Sequence, residues 1–261
     1  MPRLCLLLAG LLLALVQTAR AGEQITLYGD DAYPPYSYVE YGQFKGIYVD
    51  LLRQIGAGLE GYDLILKPVP WKHGLAMLKS GESMALFPPY QLGERNYITQ
   101  YSAPLLRETI VIVCSQPAMS RPRQHFPDDF GDITIGVNAG FLLTESLQAA
   151  IRAGKARVEE AKGNEANLLK LASGRIGCYA NDRLAITHAL KKLKATHPTA
   201  DAIQRLQLAE TVELASQDAR VGFGVALPPA YRDDFIDKLN AALRDARQNG
   251  DIERLVGFYL M

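Results

Sequence analysis

Short apolar runs alternate with helical periodicities along the chain. Residues 24–29 (QITLYG) are a run of strand length. In 46–59, Ile47, Leu51, Leu52 and Ile55 recur at the spacing of one helix face. Residues 62–70 alternate and predict a strand. Residues 71–81 predict a short helix ending at Gly81, and 84–89 the next strand. This β-α-β-α-β beginning implies a parallel sheet covered by helices.

Residues 107–115 (RETIVIVCS) are a strong β-branched run. Residues 116–132 are rich in proline and charge and have no periodicity, a composition break that reads as a lobe boundary. A second α/β series follows: strand 133–140, helix 144–154, strand 157–163, helix 164–174, strand 175–182 and helix 183–194. A strand is expected over 221–229, then two helical stretches separated by Asn249-Gly250. The chain thus reads as two similar α/β halves. The basic KKLK at 191–194 is short enough to be a solvated helix face.

The first residues change the picture of location. Met1-Pro2-Arg3, an apolar run from Leu4 to Val16 and a small-residue ending at Ala21 describe a secretory signal peptide over 1–21. The run is shorter than the ~20 residues a membrane span needs. Without it, the 28 Lys and Arg lose Arg3 and Arg20 and become 26 against 28 Asp and Glu, a formal charge of −2. That balance offers no basic stripe for nucleic acid, so no nucleic-acid partner is expected. Cys114 and Cys178 remain; an oxidising compartment allows them to pair, and their apolar contexts equally suit two buried thiols. Two cysteines and four scattered histidines form no metal pattern, and no phosphate loop or nucleophile elbow is present, so neither metal nor cofactor is expected.

Candidate chemistry collects where the strands should end. In open α/β sheets, ligands bind beyond the carboxyl ends of the strands. Tyr33, Tyr36 and Tyr38 follow the first strand directly, stiffened by Pro34-Pro35, and offer flat amphipathic surface to a small ligand. Trp71 holds the equivalent place in the next unit. The loop carrying Tyr90 and Arg95 should reach the same end, where Arg95 could grip a carboxylate or simply pair with Glu94 or Asp31. In the second half, Asp182 ends a strand; it could accept from an ammonium or cap the helix that starts at Arg183. The turn at 138–146, with Phe141 and Thr144, leads into a helix start whose free N–H groups suit an anion.

Taken in order, these segments resemble a known family. The aromatic start with its G-x-x-x-D-L-L (46–52), the E-R-x-x-x-x-x-Y-S-x-P-L stretch (94–105), "GRIGCYANDR" and the closing "GDIERL" are similar to the family 3 extracellular solute-binding proteins, the periplasmic amino-acid-binding components of ABC transporters. The resemblance implies an α/β, two-lobed periplasmic binding protein of type II, each lobe a mostly parallel sheet flanked by helices, joined by two crossing hinge segments. Lobe 1 would comprise 22–107 plus 219–261 and lobe 2 108–218. It also implies that Arg95 holds a ligand α-carboxylate and Asp182 the α-ammonium, with Tyr33, Tyr36 and Trp71 flanking the side chain. The expected protein is a periplasmic monomer and not an enzyme. It would capture a small zwitterion, an amino acid or derivative, and deliver it to an inner-membrane permease. Asp31, Tyr90, Phe141 and Thr144 complete the expected site. The chain departs from the family at three places: Pro88-Pro89-Tyr90-Gln91 replaces hydroxyl residues before the arginine, Gly140-Phe141-Leu142 replaces G-T-T, leaving Thr144 and backbone N–H groups as substitutes, and Met84 replaces an acidic residue common before the third strand. Two other readings share the scaffold: a cyclohexadienyl dehydratase-like enzyme, and a sensor for a membrane receptor.

Overall fold

The computed structural model describes residues 22–226 and 229–260; the expected signal peptide lies outside them. The first half opens with β1 (Glu23–Asp30), then a small antiparallel sheet of β2 (Ala32–Tyr33), β3 (Ser37–Glu40) and β4 (Gln43–Lys45). Helix α1 (Ile47–Gly56), β5 (Tyr62–Val69), α2 (Trp71–Ser80), β6 (Ala85–Phe87) and β7 (Gln100–Tyr101) follow. The apolar spacing seen in the sequence buries Ile47, Leu51, Leu52 and Ile55 of α1. Helix α2 stops at Gly81, whose φ of 81° provides the left-handed ending that a residue without Cβ adopts freely.

The second half runs β8 (Leu106–Ser115), β9 (Thr134–Asn138), α3 (Glu145–Arg152), β10 (Arg157–Ala161), α4 (Gly163–Ala172), β11 (Cys178–Asp182), α5 (Arg183–Thr196), α6 (Asp201–Gln204) and β12 (Leu208–Ala219). Strand β13 (Gly222–Phe223) and helices α7 (Pro229–Gln248) and α8 (Asp251–Leu260) close the chain. Only two residues of the run 221–229 are strand, and 227 and 228 lie outside the described residues.

Two five-stranded sheets result, ordered β5-β1-β6-β13-β7 and β10-β9-β11-β8-β12. The expected parallel pairs are present, β1 with β5 and β6, and β9 with β10 and β11. The antiparallel members β8, β12 and β13 arise where the chain passes between lobes. Both sides of the 116–132 break, β8 and β9, belong to the second sheet, so that break is no lobe boundary. It is a surface excursion with two short 3₁₀ turns, pinned by Arg123 to Asp132 at 2.8 Å.

The crossing lies earlier. Leu105 N–H donates to Ala219 O at 2.7 Å, and Ser102 N–H to Val221 O at 2.9 Å, so the outgoing and returning segments run side by side. Arg220 fastens them, donating to Ser102 O at 2.7 Å and to Asp218 at 2.8 Å, while Arg107 also reaches Asp218 at 2.9 Å. Beyond the crossing, β12 stays paired with β8 along its whole length, with two bulges.

Cys114 and Cys178 face each other on β8 and β11 and form a disulfide, which settles the choice the sequence left open. They are 64 residues apart in sequence and both fully buried. A cross-link over a loop of that size removes unfolded-state entropy. The Cys114→Ser/Cys178→Ser variant is therefore expected to lose about 2–4 kcal/mol of stability in urea unfolding. A variant as stable as the parent would contradict a structural role for the bond.

Candidate functional site

The carboxyl ends of β1, β5 and β6 face those of β9, β10 and β11 across a cleft, with β8 at its floor. Four tyrosines of the first lobe end there. Tyr33 and Tyr36 come from the aromatic loop, Tyr48 from the first turn of α1, and Tyr90 from the loop after β6; all are almost fully buried. Their rings pack on one another: Tyr36 stacks on Tyr48 with centroids 4.8 Å apart, and Tyr33 tilts against Tyr36 at 5.0 Å.

Buried phenols need acceptors. Glu108, at the start of β8 and 1% exposed, supplies most of them. Tyr33 donates to its Oε2, Tyr90 to the same oxygen at 2.6 Å, and Tyr48 to Oε1 at 2.5 Å. Burial, reinforced by the charge of Asp182, pushes the Glu108 carboxyl up to about 8 against the pull of these hydrogen bonds. Asp182 takes the fourth phenol: Tyr36 donates to its Oδ1 at 2.6 Å. The same oxygen accepts from Ala185 N–H at 2.8 Å, and Oδ2 accepts from Thr109 N–H at 3.0 Å. Asp182 is thus the N-cap of α5, and burial raises its pKa while these donors lower it.

Above this floor sit Arg95 and the aromatic slot. Arg95 is 4% exposed; burial lowers its pKa from the ordinary arginine value. Its Nη2 donates to Gly140 O at 3.1 Å and its guanidinium lies 5.4 Å from the Trp71 ring. The Trp71 indole donates to the same carbonyl at 3.2 Å. Gly140 turns with φ +79°, and a Cβ there would stand 2.9 Å from Lys72 Cγ, so glycine is what lets this turn approach the other lobe. Neither expected ion pair of Arg95 forms: Glu94 pairs with Arg152 at 2.7 Å and Asp31 with Lys162 at 3.2 Å. Among the described residues no carboxylate pairs with Arg95. Phe141 inserts its ring between Tyr33 and Trp71, edge-on to each at 5.1 and 5.7 Å.

Two spaces remain, on either side of Trp71 and Phe141. One of about 10 Å³ adjoins Arg95, with Tyr33, Tyr90, Pro88 and Leu142 around it. The other, about 220 Å³, opens beyond Trp71 and Phe141, which line both. Asp30, Asn138, Lys72 and Lys162 supply its polar groups. Asp30 is 3% exposed, and burial pushes its pKa to about 7. A larger open groove of about 630 Å³ lies at the far end of the second sheet, near Ser115 and Arg205, and holds none of these residues.

The rim is laced by ion pairs between lobes: Lys72 with Glu160 at 2.5 Å, Glu94 with Arg152, Asp31 with Lys162, and Glu40 with Lys192. Each is solvent-facing and contributes under ~1 kcal/mol.

The structure thus brings Tyr33, Trp71, Tyr90, Arg95 and Phe141 together around one space. Tyr36 and Asp182 are bonded to each other beneath it. Asp31 belongs to the rim, and Thr144 caps α3, its Oγ1 accepting from Leu147 N–H at 3.1 Å. Sequence reasoning missed Glu108, Tyr48 and Asp30. Glu108 was readable: it falls in the same alternation phase as Ile110, Ile112 and Cys114, the inward face of β8.

A sequence model described as bacterial extracellular solute-binding proteins, family 3, matches residues 25–260. No curated protein matches by sequence. Several solved structures share the fold. A histidine kinase sensor domain with similarity to periplasmic binding proteins is 17% identical, with TM-score 0.73 over 92% of this chain and 96% of that one. The arginine-, lysine-, histidine-binding protein ArtJ from Geobacillus stearothermophilus is 22% identical, TM-score 0.69, over 91% and 95%. An ancestral amino-acid-binding protein, a precursor of cyclohexadienyl dehydratase, is 18% identical, TM-score 0.67, over 91% and 96%.

Two outcomes follow from the floor. Tyr36→Phe removes one donor to a buried carboxyl group and is expected to cost about 1.5–3 kcal/mol in urea unfolding; no loss would contradict the bond. A carboxyl whose pKa is higher folded than unfolded binds more protons when folded, so stability falls as pH rises between the two values. For Glu108 that interval runs from its ordinary range to about 8, and for Asp30 to about 7. The thermal midpoint should therefore still fall between about pH 7 and about pH 8, and Glu108→Gln should flatten that fall. An equally steep fall in the variant would contradict the assignment.

Proposed function

The chain belongs to the bacterial extracellular solute-binding proteins of family 3, and from that premise we propose that it is a periplasmic capture protein for a small carboxylate ligand. The lobes close on the ligand about the paired segments 102–106 and 217–221, and the closed form is delivered, as a monomer, to an ABC permease of the inner membrane. The lobe limits 22–107 plus 219–261 and 108–218 belong to this reading. So does secretion through a leader at 1–21.

The observation that carries it is Arg95: a guanidinium buried in a cleft, without a carboxylate partner among the described residues, stacked by Trp71 and flanked by Tyr33, Tyr90 and Phe141. Buried charge costs free energy unless it is paired. A ligand carboxylate entering beside Gly140 O would accept from the remaining guanidinium donors, and the rings would cover its body. Because that contact joins a first-lobe side chain to a ligand packed against Phe141 and Leu142 of the second lobe, it stabilises closure through differential affinity. The amino-acid half of the sequence expectation rests on Asp182, whose three donors are internal.

Titration calorimetry of Arg95→Ala against amino acids and simple carboxylates is the test. Affinity is expected to fall at least tenfold, about 1.4 kcal/mol or more. Unchanged affinity would remove Arg95 from the site.

One observation favours a second reading, an enzyme of the dehydratase kind: Glu108 keeps a proton up to about pH 8, as a general acid needs. Yet both Glu108 oxygens are engaged by tyrosine hydroxyls, and Glu108 lines neither space of the cleft. We therefore expect no phenylpyruvate from prephenate; its enzymatic formation, lost in Glu108→Gln, would establish the second reading instead.

A further inference from the structure

An amino acid presents its ammonium one carbon away from its carboxylate. If Arg95 takes the carboxylate, the ammonium acceptor must lie close beside it. The space next to Arg95 has no carboxylate to serve as one. Its charged lining residue is Arg95 itself. The hydroxyls of Tyr33 and Tyr90 donate to Glu108 and leave an ammonium only neutral phenol oxygens, while the Trp71 indole has only a donor, already on Gly140 O. Asp182 lines neither space; it is 2% exposed and lies under Tyr36, accepting from a phenol and two backbone N–H groups. Asp30 opens on the larger space, on the other side of Trp71 and Phe141, where Lys72 and Lys162 also stand.

The rest of the lining is apolar: Pro88, Leu142, and the faces of Trp71 and Phe141. An ammonium placed there loses its water and gains no charged partner, which is unfavourable. A carboxylate with an apolar or aromatic body has no such cost, since the rings replace water around the body and the guanidinium replaces it around the charge.

We propose that the cleft selects carboxylates that carry an apolar or aromatic body and no α-ammonium group, the deaminated counterparts of apolar amino acids. This rests on the binding function proposed above. Phe141 sets the size of the body: its ring fills the slot between Tyr33 and Trp71, so the ligand displaces it or extends past it into the 220 Å³ space.

Matched pairs test the class. Protein stripped of endogenous ligand by denaturation and refolding, with its disulfide kept, is titrated with hydrocinnamate against phenylalanine, indolepropionate against tryptophan and isocaproate against leucine. In at least one pair the deaminated acid is expected to bind tenfold tighter or more, with its affinity lost in Arg95→Ala. A smaller difference in every pair, or a preference for the amino acid, overturns the ligand class while leaving capture by Arg95 in place. Absence of binding by every compound, or binding that Arg95→Ala does not weaken, overturns the capture function and this inference with it. Phe141→Ala, which removes the ring packed edge-on against Tyr33 and Trp71, is expected to shift preference toward the bulkier indolepropionate; no shift removes Phe141 as the size gauge.

Discussion

Four phenolic hydroxyls from one lobe end on two buried carboxyl groups of the other, and the cleft is built on that floor. Tyr33, Tyr48 and Tyr90 converge on Glu108, and Tyr36 on Asp182. A carboxyl group so deep in protein is tolerated because every oxygen is supplied with donors. The donors come from three separate segments of the first lobe, and the acceptors stand on β8 and β11 of the second. The floor therefore fixes how the aromatic loop, α1 and the loop after β6 lie against the second sheet. That placement in turn positions Trp71, Arg95 and Phe141 above it.

The same constraint divides the labour between the charges. Asp182 holds Tyr36, Thr109 and the start of α5 in place. Arg95, held by a backbone carbonyl and a ring face, keeps donors to spare. Opposite charges on two lobes are thus placed differently: Asp182 accepts from three internal donors, whereas Arg95 has one carbonyl and a ring face. The exposed ion pairs at the rim add orientation, and individually little energy.

Much of this was legible in the sequence. Helical and strand periodicities located α1, α2, α3, α4, α5 and the parallel strands to within a few residues, because each buries one regular face. The rule that ligands gather at strand carboxyl ends puts Tyr33, Trp71 and Arg95 at one end of the sheet from sequence alone. What escaped depended on pairing across long separations. The twelve residues of β12 carry Glu, Gln and Asp with no clear alternation, and only their ladder with β8 makes them a strand. Spacing could not choose between an ammonium acceptor and a helix cap for Asp182, since both roles use one short carboxylate at a helix start. Glu108 was hidden by its neighbours: within a β-branched run an acid reads as an outward residue until the alternation phase is followed.

The account turns on a carboxylate held by Arg95 within the closed cleft. Native mass spectrometry of the gently purified protein, followed by identification of the small molecule it carries, examines this most directly. The account predicts a bound carboxylic acid on the parent protein and none on Arg95→Ala prepared alongside. A bound compound without a carboxylate, or one carried equally by both proteins, would contradict it.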